Sequence, residues 1–451
     1  MSHPSIAADP LGQDPPLGLL PPDDPLRIAL HDEIHARPQA SIRLPALLTH
    51  VAVLNQGVSR QDEWSHLCLL PGQQQLPASA TRGYFLHLGL EGCTVQWERH
   101  SEFTRYTVIQ PLPEVGADAE LPPKLCAALA TPPGWLAGIP GRTVAAIQVV
   151  MFKAALDDLP GAMAAVQPWF APGTNLIASQ MGTGQSCAVT DFQVNADGFE
   201  RMLLLLHPDS SASRPGRASV RLLELETYRL MALRGLPPAK ALTPLLASVE
   251  AELASLTAQL ESRAAVEQEL LDHLIALAAR VERATAENSY RFSATRAYAK
   301  LVMQRIEDLH EHPIPGFQTW GQFMRRRLSP AIATVASTER RLTSLSERVA
   351  RTSALLRTRV DIAAEGQNQQ LLEKLTRGQD LQLRLQSTVE GLSIAAISYY
   401  VVSLLLYGAK ALKGLGLPVQ PELAAGALVP VVLWAVWWTT RRIHEKLHAD
   451  H

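Results

Sequence analysis

The densest cluster of ionisable side chains in the N-terminal half lies close to the start of the chain. His31, Glu33, His35 and Arg37 follow one another in LHDEIHARP, which ends at Pro38. On a helix the two histidines, four residues apart, face the same side, as in histidine pairs that bind zinc. Glu33 faces elsewhere, because the zinc-protease pattern H-E-x-x-H has its glutamate directly after the first histidine. We therefore favour a structural role, with a metal site or catalysis as the alternative.

A second segment whose residues could do chemistry is MGTGQS, Met181 to Ser186. It lacks both G-x-G-x-x-G and the Gly-Lys-Ser/Thr ending of a phosphate loop, and a strand pattern follows it. We predict a turn between two strands. No nucleophile motif, nucleotide loop or metal-ligand set has convincing spacing, so we expect no enzyme and no cofactor.

Two uncharged segments near the C-terminus, Gly391 to Ala409 and Leu423 to Thr440, can each span a membrane. A spanning helix needs about 20 mostly apolar residues. Tryptophans near the end of the second segment, followed at once by Arg441 and Arg442, are typical of a membrane–water boundary. These tryptophans are Trp434, Trp437 and Trp438. The alternative is a buried hairpin of a soluble helical protein.

The first apolar segment carries a stripe of small or polar residues at spacings of three and four. The stripe consists of Ser393, Ala396, Tyr400, Ser403, Tyr407 and Lys410. Polar groups are costly in lipid, so the stripe is expected to avoid it. Because the second segment is apolar, we predict a homo-oligomer whose stripes face a shared axis, as a contact or a pore. The alternative is a tyrosine-lined contact inside a monomeric hairpin.

The fold class is predicted to be an α+β domain followed by a long, coiled-coil-like helical stalk and a C-terminal two-helix transmembrane hairpin. Residues 1–24 form a disordered arm, 25–40 a short capped helix, and 41–212 a domain with an antiparallel or mixed sheet. Residues 213–390 form the stalk, 391–440 the hairpin and 441–451 a basic cytosolic tail. Leucines and valines repeat in heptads along the stalk, interrupted at Arg263 and Glu267.

The last stalk helix is predicted to be capped at Ser329-Pro330, with the alternative that FMRRRL before it is already helical. It contains no later proline and is expected to continue into the first apolar segment.

The net charge of −2 argues against a nucleic-acid partner, and four widely spaced cysteines suit a reducing compartment. The N-terminus lacks the features of a signal peptide. Five basic residues flank the hairpin on the side of the large domain, whereas the loop between its helices has two, Lys410 and Lys413. The five are Arg377, Arg384, Arg441, Arg442 and Lys446. This bias predicts that the bulk of the chain and both termini lie in the cytoplasm.

Several segments together resemble a bacterial family of uncharacterised membrane-anchored proteins, a domain of unknown function with a HARP-type N-terminal motif. They are LHDEIHARP, RFSATRAYAKLV, FMRRRLSPA, LLRTRVDIAAEGQNQQLL and LQLRLQSTVEGLSIAAISYYVVSLLLYGAK. The resemblance covers nearly the whole chain and implies a location in the bacterial inner membrane.

The order of domains is also similar to that of the CorA-type magnesium channels. Tyr407-Gly408 and Pro421-Glu422-Leu423 resemble that family's Tyr-Gly-Met-Asn signature and acidic loop. Ala409 and Lys410 stand where the methionine and asparagine would be. In that family the asparagine-bearing turn holds hydrated magnesium, and a lysine there would repel a dication.

Three classes of function follow. The first is an oligomeric scaffold or regulatory protein, integral to the membrane, with a large cytosolic domain. The second is a CorA-like channel or transporter of altered selectivity. The third is a membrane-tethered enzyme that uses the His31 cluster.

Overall fold

The computed structural model describes Asp24, Arg27 and residues 41–113, 129–211, 213–262, 267–414 and 420–448. Contacts divide the chain into two units. The first comprises Met1–Ser255 and Ala276–Ala350, and the second comprises Leu256–Ile275 and Arg351–His451. The stalk predicted for residues 213–390 is therefore shared between the units, because its first helices pack on the sheet. An α+β sheet domain followed by long helices is confirmed.

A mixed sheet of nine strands organises the first unit, in the order β2-β3-β4-β1-β5-β8-β7-β6-β9. The strands are β1 (Ala46–Leu54), β2 (Phe85–Leu90), β3 (Cys93–Arg99), β4 (Phe103–Pro111), β5 (Arg142–Lys153), β6 (Ile177–Met181), β7 (Ser186–Val194), β8 (Glu200–Leu206) and β9 (Glu311–Pro313). The β5–β8 pair is parallel, and the other strand pairs are antiparallel. The predicted turn at MGTGQS is confirmed, since it joins β6 to β7.

Seven α-helices complete the described part of the chain. They are α1 (Arg60–Leu67), α2 (Leu159–Val166), α3 (Arg214–Leu233), α4 (Leu236–Ser262), α5 (Glu267–Leu309), α6 (Trp320–Gly414) and α7 (Pro421–His448). Short 3-10 turns lie at Ala78–Arg82, Leu136–Gly138 and Gln167–Trp169. Helices α4, α5 and α6 each pass from one unit to the other.

The two faces of the sheet bury different cores, as the alternation of strand side chains requires. On β1, Leu48 and Ala52 join a core that includes Leu222 of α3, Val302 of α5 and Trp320 of α6. On the opposite face, Leu47 packs in one separate cluster, and Val51 and Val53 pack in another. Helix α3 therefore lies over the face to which even-numbered β1 residues point.

Helix α6 begins ten residues earlier than the predicted Ser329-Pro330 cap, so that cap is wrong. The Thr319 hydroxyl accepts from the Gln322 N–H at 3.2 Å, and the Gln322 carboxamide accepts from the Thr319 N–H at 3.3 Å. This reciprocal capping box fixes the helix start. Pro330 is an interior residue of α6. The alternative that FMRRRL is already helical is confirmed.

The heptad positions of the predicted stalk are buried in each unit, except Leu260, which is half-buried. The first unit buries Leu246, Val249, Leu253, Leu277, Val281, Val335, Leu342 and Val349. The second buries Leu256, Leu270, Leu274 and Leu356. Arg263 and the side chain of Glu267 lie outside the described residues. Ion pairs between Arg280 and Glu252, and between Arg341 and Glu250, add exposed contacts between the helices of the first unit.

Helix α6 and the Pro421–Thr439 part of α7 are long and apolar enough to cross a membrane, by length and composition. Helix α6 is continuous from Trp320 to Gly414, so the predicted continuity of the last stalk helix with the first apolar segment is confirmed. Lys410 and Lys413, which were predicted to lie in the loop, are both part of this helix.

Candidate functional site

The N-terminal motif of His31, Glu33, His35, Arg37 and Pro38 lies outside the described residues. Among the residues that the structure describes, no group of three or more His, Cys, Asp or Glu side chains could hold a metal ion. Cys68, Cys93 and Cys187 are unpaired thiols. The candidate site in the described chain is therefore formed by other polar side chains.

A chain of buried and half-buried ion pairs lies between the sheet and helices α3 and α5. Glu98 on β3 and Arg105 on β4 are direct cross-strand partners. Arg105 Nε donates to Glu98 Oε2 at 2.8 Å, and Arg105 Nη2 lies 3.6 Å from Glu224 Oε1 on α3. Arg305 Nε of α5 donates to Glu224 Oε2 at 2.6 Å. Two carboxylates and two guanidinium groups alternate, so that each charge has a neighbour of opposite sign that compensates for its loss of hydration.

The neighbours of Glu98 keep its carboxylate ionised although the side chain is buried. Burial alone would raise its pKa, but the neighbouring His100 side chain, whose Nε2 lies 3.7 Å from Glu98 Oε2, and the charge of Arg105 outweigh burial and lower the pKa to about 2. The carboxylate is therefore ionised throughout the physiological range.

His50, at the centre of β1, is fully buried beside this network and is neutral. Its Nδ1 lies 2.8 Å from Thr107 Oγ1, and its Nε2 lies 3.3 Å from Thr227 Oγ1. Because the Thr227 hydroxyl donates to Leu223 O at 2.7 Å, it accepts from His50, which assigns the imidazole proton to Nε2. Burial, aided by the charge of Arg105, lowers the pKa of His50 to about 3.

These groups line a cavity of about 160 Å³. Its polar wall is His50, Gln96, Glu98, Arg105, Thr107 and Glu224, and Leu48, Phe85, Ile109 and Leu223 are among its apolar residues. A small, partly apolar space with a few fixed polar groups is typical of a ligand-binding site. The charges pair with one another rather than converging on one centre.

A second buried cluster lies between β8 and α3. Arg229 forms a two-point salt bridge with Glu226 on the same helix, and Arg229 Nη2 lies 3.8 Å from Glu200 Oε2. Burial and the negative charge of Glu226 raise the pKa of Glu200 well above its ordinary value, although Arg229 opposes the shift. One arginine thus faces two carboxyl groups, and the nearby charge of Glu226 disfavours ionisation of Glu200.

Helix α6 has a covered face and an exposed face in its apolar part. Ser398 is 4% exposed, and the neighbouring covered positions Val401 and Val402 are half-buried. Tyr400 and Tyr407 of the predicted stripe are each 68% exposed. Ser393, Ala396 and Lys410 are exposed and Ser403 is half-buried. The tyrosines are thus uncovered within the described chain, which disfavours a contact inside a monomeric hairpin.

The residues that resemble the channel signature lie in helices α6 and α7. Gly408 lies inside α6, whereas Pro421 is the buried first residue of α7 and Glu422 is exposed in its first turn. Near the other end of α7, Trp434 and Trp438 stack at 6.1 Å and Arg442 lies over the Trp438 ring at 5.0 Å.

The sequence analysis missed the His50 cavity, although one signal was available. The His100 N–H donates to Phe103 O, closing a two-residue hairpin loop that sets Glu98 opposite Arg105. A short loop between two strand patterns could therefore have predicted this buried pair. His50 and Thr227 are 177 residues apart, and no local pattern joins them.

Comparison with curated proteins gives no match, and neither does comparison with solved structures. The similarity to CorA-type channels thus rests on short motifs and domain order. A family described as "Protein of unknown function (DUF3422)" matches residues 22–447, a range that includes the sheet, the long helices and both apolar segments. The chain belongs to the DUF3422 family.

Proposed function

We propose that this protein is a membrane-anchored homo-oligomer with a scaffold or regulatory role, integral to the inner membrane, with its sheet domain and both termini in the cytoplasm. The observation that carries the proposal is the exposed stripe on α6. Ser398 and Tyr400 are two residues apart, and a helix turns roughly 100° per residue, so they point in opposite directions. The stripe is therefore directed away from the one covered face of this helix.

Before the apolar segment, α6 is exposed on every side, since all residues from 371 to 389 are exposed. Leu371, Leu375, Leu385 and Val389 are 58% to 66% exposed. Their spacings of four, ten and four residues place them on the same helix face as Ser393 and Tyr400. Leucine and valine at such intervals form the seam of a coiled coil.

A second copy of this chain fits the exposed seam better than lipid or water does. Exposed leucines favour burial against apolar side chains, whereas the serine and tyrosine hydroxyls disfavour lipid. The seam is apolar in its first half and polar within the membrane segment. Identical helices packed around a shared axis would cover both halves. The predicted coiled coil and transmembrane hairpin would then both form in the oligomer.

A regulatory role is supported by the sheet unit. Its His50 cavity is lined by fixed, mutually neutralised charges, and Trp320 at the start of α6 is buried in the core on the same face of the sheet. A ligand that altered this core would act on the first turn of the helix that carries the seam. We propose that this unit binds a ligand and couples that binding to α6, and that it does not catalyse a reaction.

Cysteine crosslinking in native membranes tests the oligomer. Ser393→Cys and Ser403→Cys should form crosslinked dimers, because both positions lie on the stripe. Ser398→Cys, on the covered face, is the matched control, with Val401→Cys as a second. Equal crosslinking at all four positions, or a monomeric mass in detergent, would refute the oligomer.

A further inference from the structure

A second cavity in the first unit has three arginines among its lining residues. It has a volume of about 110 Å³ and lies where the β6–β7 turn, the start of α3 and the end of α5 meet. Gly182, Arg214, Arg217, Arg221, Asp308 and His310 supply its polar and backbone surfaces. It shares no lining residue with the His50 cavity.

The three guanidinium groups have no carboxylate partner within the described part of the chain. Arg217 Nη1 donates to Ser213 Oγ at 2.7 Å, and Arg221 Nη1 donates to the Asp308 carbonyl at 2.9 Å. Arg214 Nε is buried with no acceptor among the described groups. The carboxylate of Asp308 is already engaged by Arg305 Nη1 at 2.9 Å. The cavity thus carries an uncompensated positive charge.

The position of these arginines adds to that charge. Spacings of three and four residues put Arg214, Arg217 and Arg221 on one face of the first two turns of α3, and this helix has no acidic residue in its first turn. The N-terminal end of a helix carries the positive end of its dipole, where cations are unfavourable and anions are stabilised. Three arginines there are costly unless an anion lies among them.

The β6–β7 turn approaches the arginines through a glycine. Gly182 has φ +62°, and a Cβ at this position would lie 3.5 Å from Arg214 Nη1. Its N–H donates to the carbonyls of Leu309 and His310, which ties the turn to the end of α5. His310 has φ +46°, uncommon for a residue other than glycine. Three elements are therefore held around one small positive cavity.

We propose that this cavity binds a phosphate group, as inorganic phosphate or as the head of a phosphomonoester. Its volume corresponds to roughly three or four waters at about 30 Å³ each, enough for a tetrahedral oxyanion. Guanidinium groups match phosphate oxygens in two-point hydrogen bonds. Arg221 is exposed at the rim, so the remainder of a larger ligand would extend into solvent. This site is independent of the oligomer.

Calorimetric titration of the full chain in detergent with inorganic phosphate and with glycerol phosphate tests the site. We expect saturable binding, weakened at least tenfold in the double variant Arg214→Gln/Arg217→Gln. The control Arg326→Gln/Arg327→Gln changes two exposed arginines of α6 and should bind like the wild type. A thermal unfolding midpoint for each variant, together with Arg214→Lys/Arg217→Lys, separates loss of binding from loss of folding.

A lipid source is separated from a soluble one by binding to nanodiscs that contain phosphatidic acid or only phosphatidylcholine. Binding to phosphatidic acid alone, lost in the glutamine double variant, identifies a lipid phosphate. Binding of the soluble anions identifies a free ligand. No binding to any of these probes, or binding that the glutamine and control variants weaken equally, would overturn the proposal.

Discussion

Glu98 and Arg105 lie directly opposite each other on neighbouring antiparallel strands, joined by a hydrogen bond of 2.8 Å from Arg105 Nε to Glu98 Oε2. Both side chains are buried, and Arg105 also faces Glu224 of α3. The pair therefore connects the hairpin to the helix that covers it.

Removing one member of this pair should destabilise the sheet unit strongly. Arg105→Met leaves two buried carboxylates without their shared cation, and breaking a buried pair in this way costs about 3–5 kcal/mol. The double variant Glu98→Gln/Arg105→Met should lose less than the sum of the single variants. Urea unfolding followed by tryptophan fluorescence measures the free energy of unfolding of the wild type, of Glu98→Gln, of Arg105→Met and of the double variant. Additive losses would show that the two side chains are not coupled.

The buried histidines should make folding stability depend on pH. Burial lowers the pKa of His50 to about 3 and that of His66 to about 4, both below 6.5 for an exposed histidine. Below pH 6.5 the unfolded chain therefore takes up protons that the folded chain does not. Stability should fall as the pH drops from 6.5 towards 4, by up to about 1.4 kcal/mol per pH unit for each histidine.

The matched variants are His50→Gln and the exposed His87→Gln. The first should flatten the pH dependence of the unfolding midpoint between pH 6.5 and 4, and the second should leave it unchanged. The low pKa of Glu98 affects stability at lower pH. Its contribution is lost as the pH falls from 4.5, the ordinary pKa, to about 2. An unchanged slope in His50→Gln would contradict the assignment of a neutral His50.

Local patterns predicted the elements of this protein better than its sites. The turn at Met181 to Ser186 followed from its glycines and flanking strands. The start of α6 was misplaced because Ser-Pro is a common cap, whereas the actual cap, Thr319 with Gln322, precedes a tryptophan and a glycine that weaken a helical pattern. The His50 contacts and the arginine cavity join distant segments, which one sequence without its fold cannot bring together.

The N-terminal motif remains a prediction of a structural role. Alanine at both His31 and His35 should lower the thermal unfolding midpoint and leave the metal content of the purified protein unchanged. Elemental analysis of the wild type and the double variant measures the second quantity. A stoichiometric transition metal that is lost in the variant would establish a metal site instead.

The proposed topology predicts where the C-terminus lies. Arg441 and Arg442 follow the apolar part of α7, and basic residues near a span are retained in the cytoplasm. A C-terminal fusion to alkaline phosphatase should be inactive in a bacterial host, and a fusion to green fluorescent protein should be fluorescent. Full phosphatase activity would place the C-terminus on the opposite side.

The last prediction concerns Lys410 and the ions that the proposed oligomer would exclude. Lys410 is exposed at the end of the stripe, with its Nζ 5.9 Å from the centre of the Tyr407 ring. In a symmetric oligomer each copy would place one ammonium group near the shared axis, which repels a dication. Vesicles that contain the wild-type protein should therefore show no magnesium uptake by an enclosed magnesium-sensitive dye. Lys410→Asn should raise uptake if the stripes enclose a pore, with Lys413→Asn as the control. Uptake by the wild type would contradict this role of Lys410, and a silent Lys410→Asn oligomer would favour a scaffold without a pore.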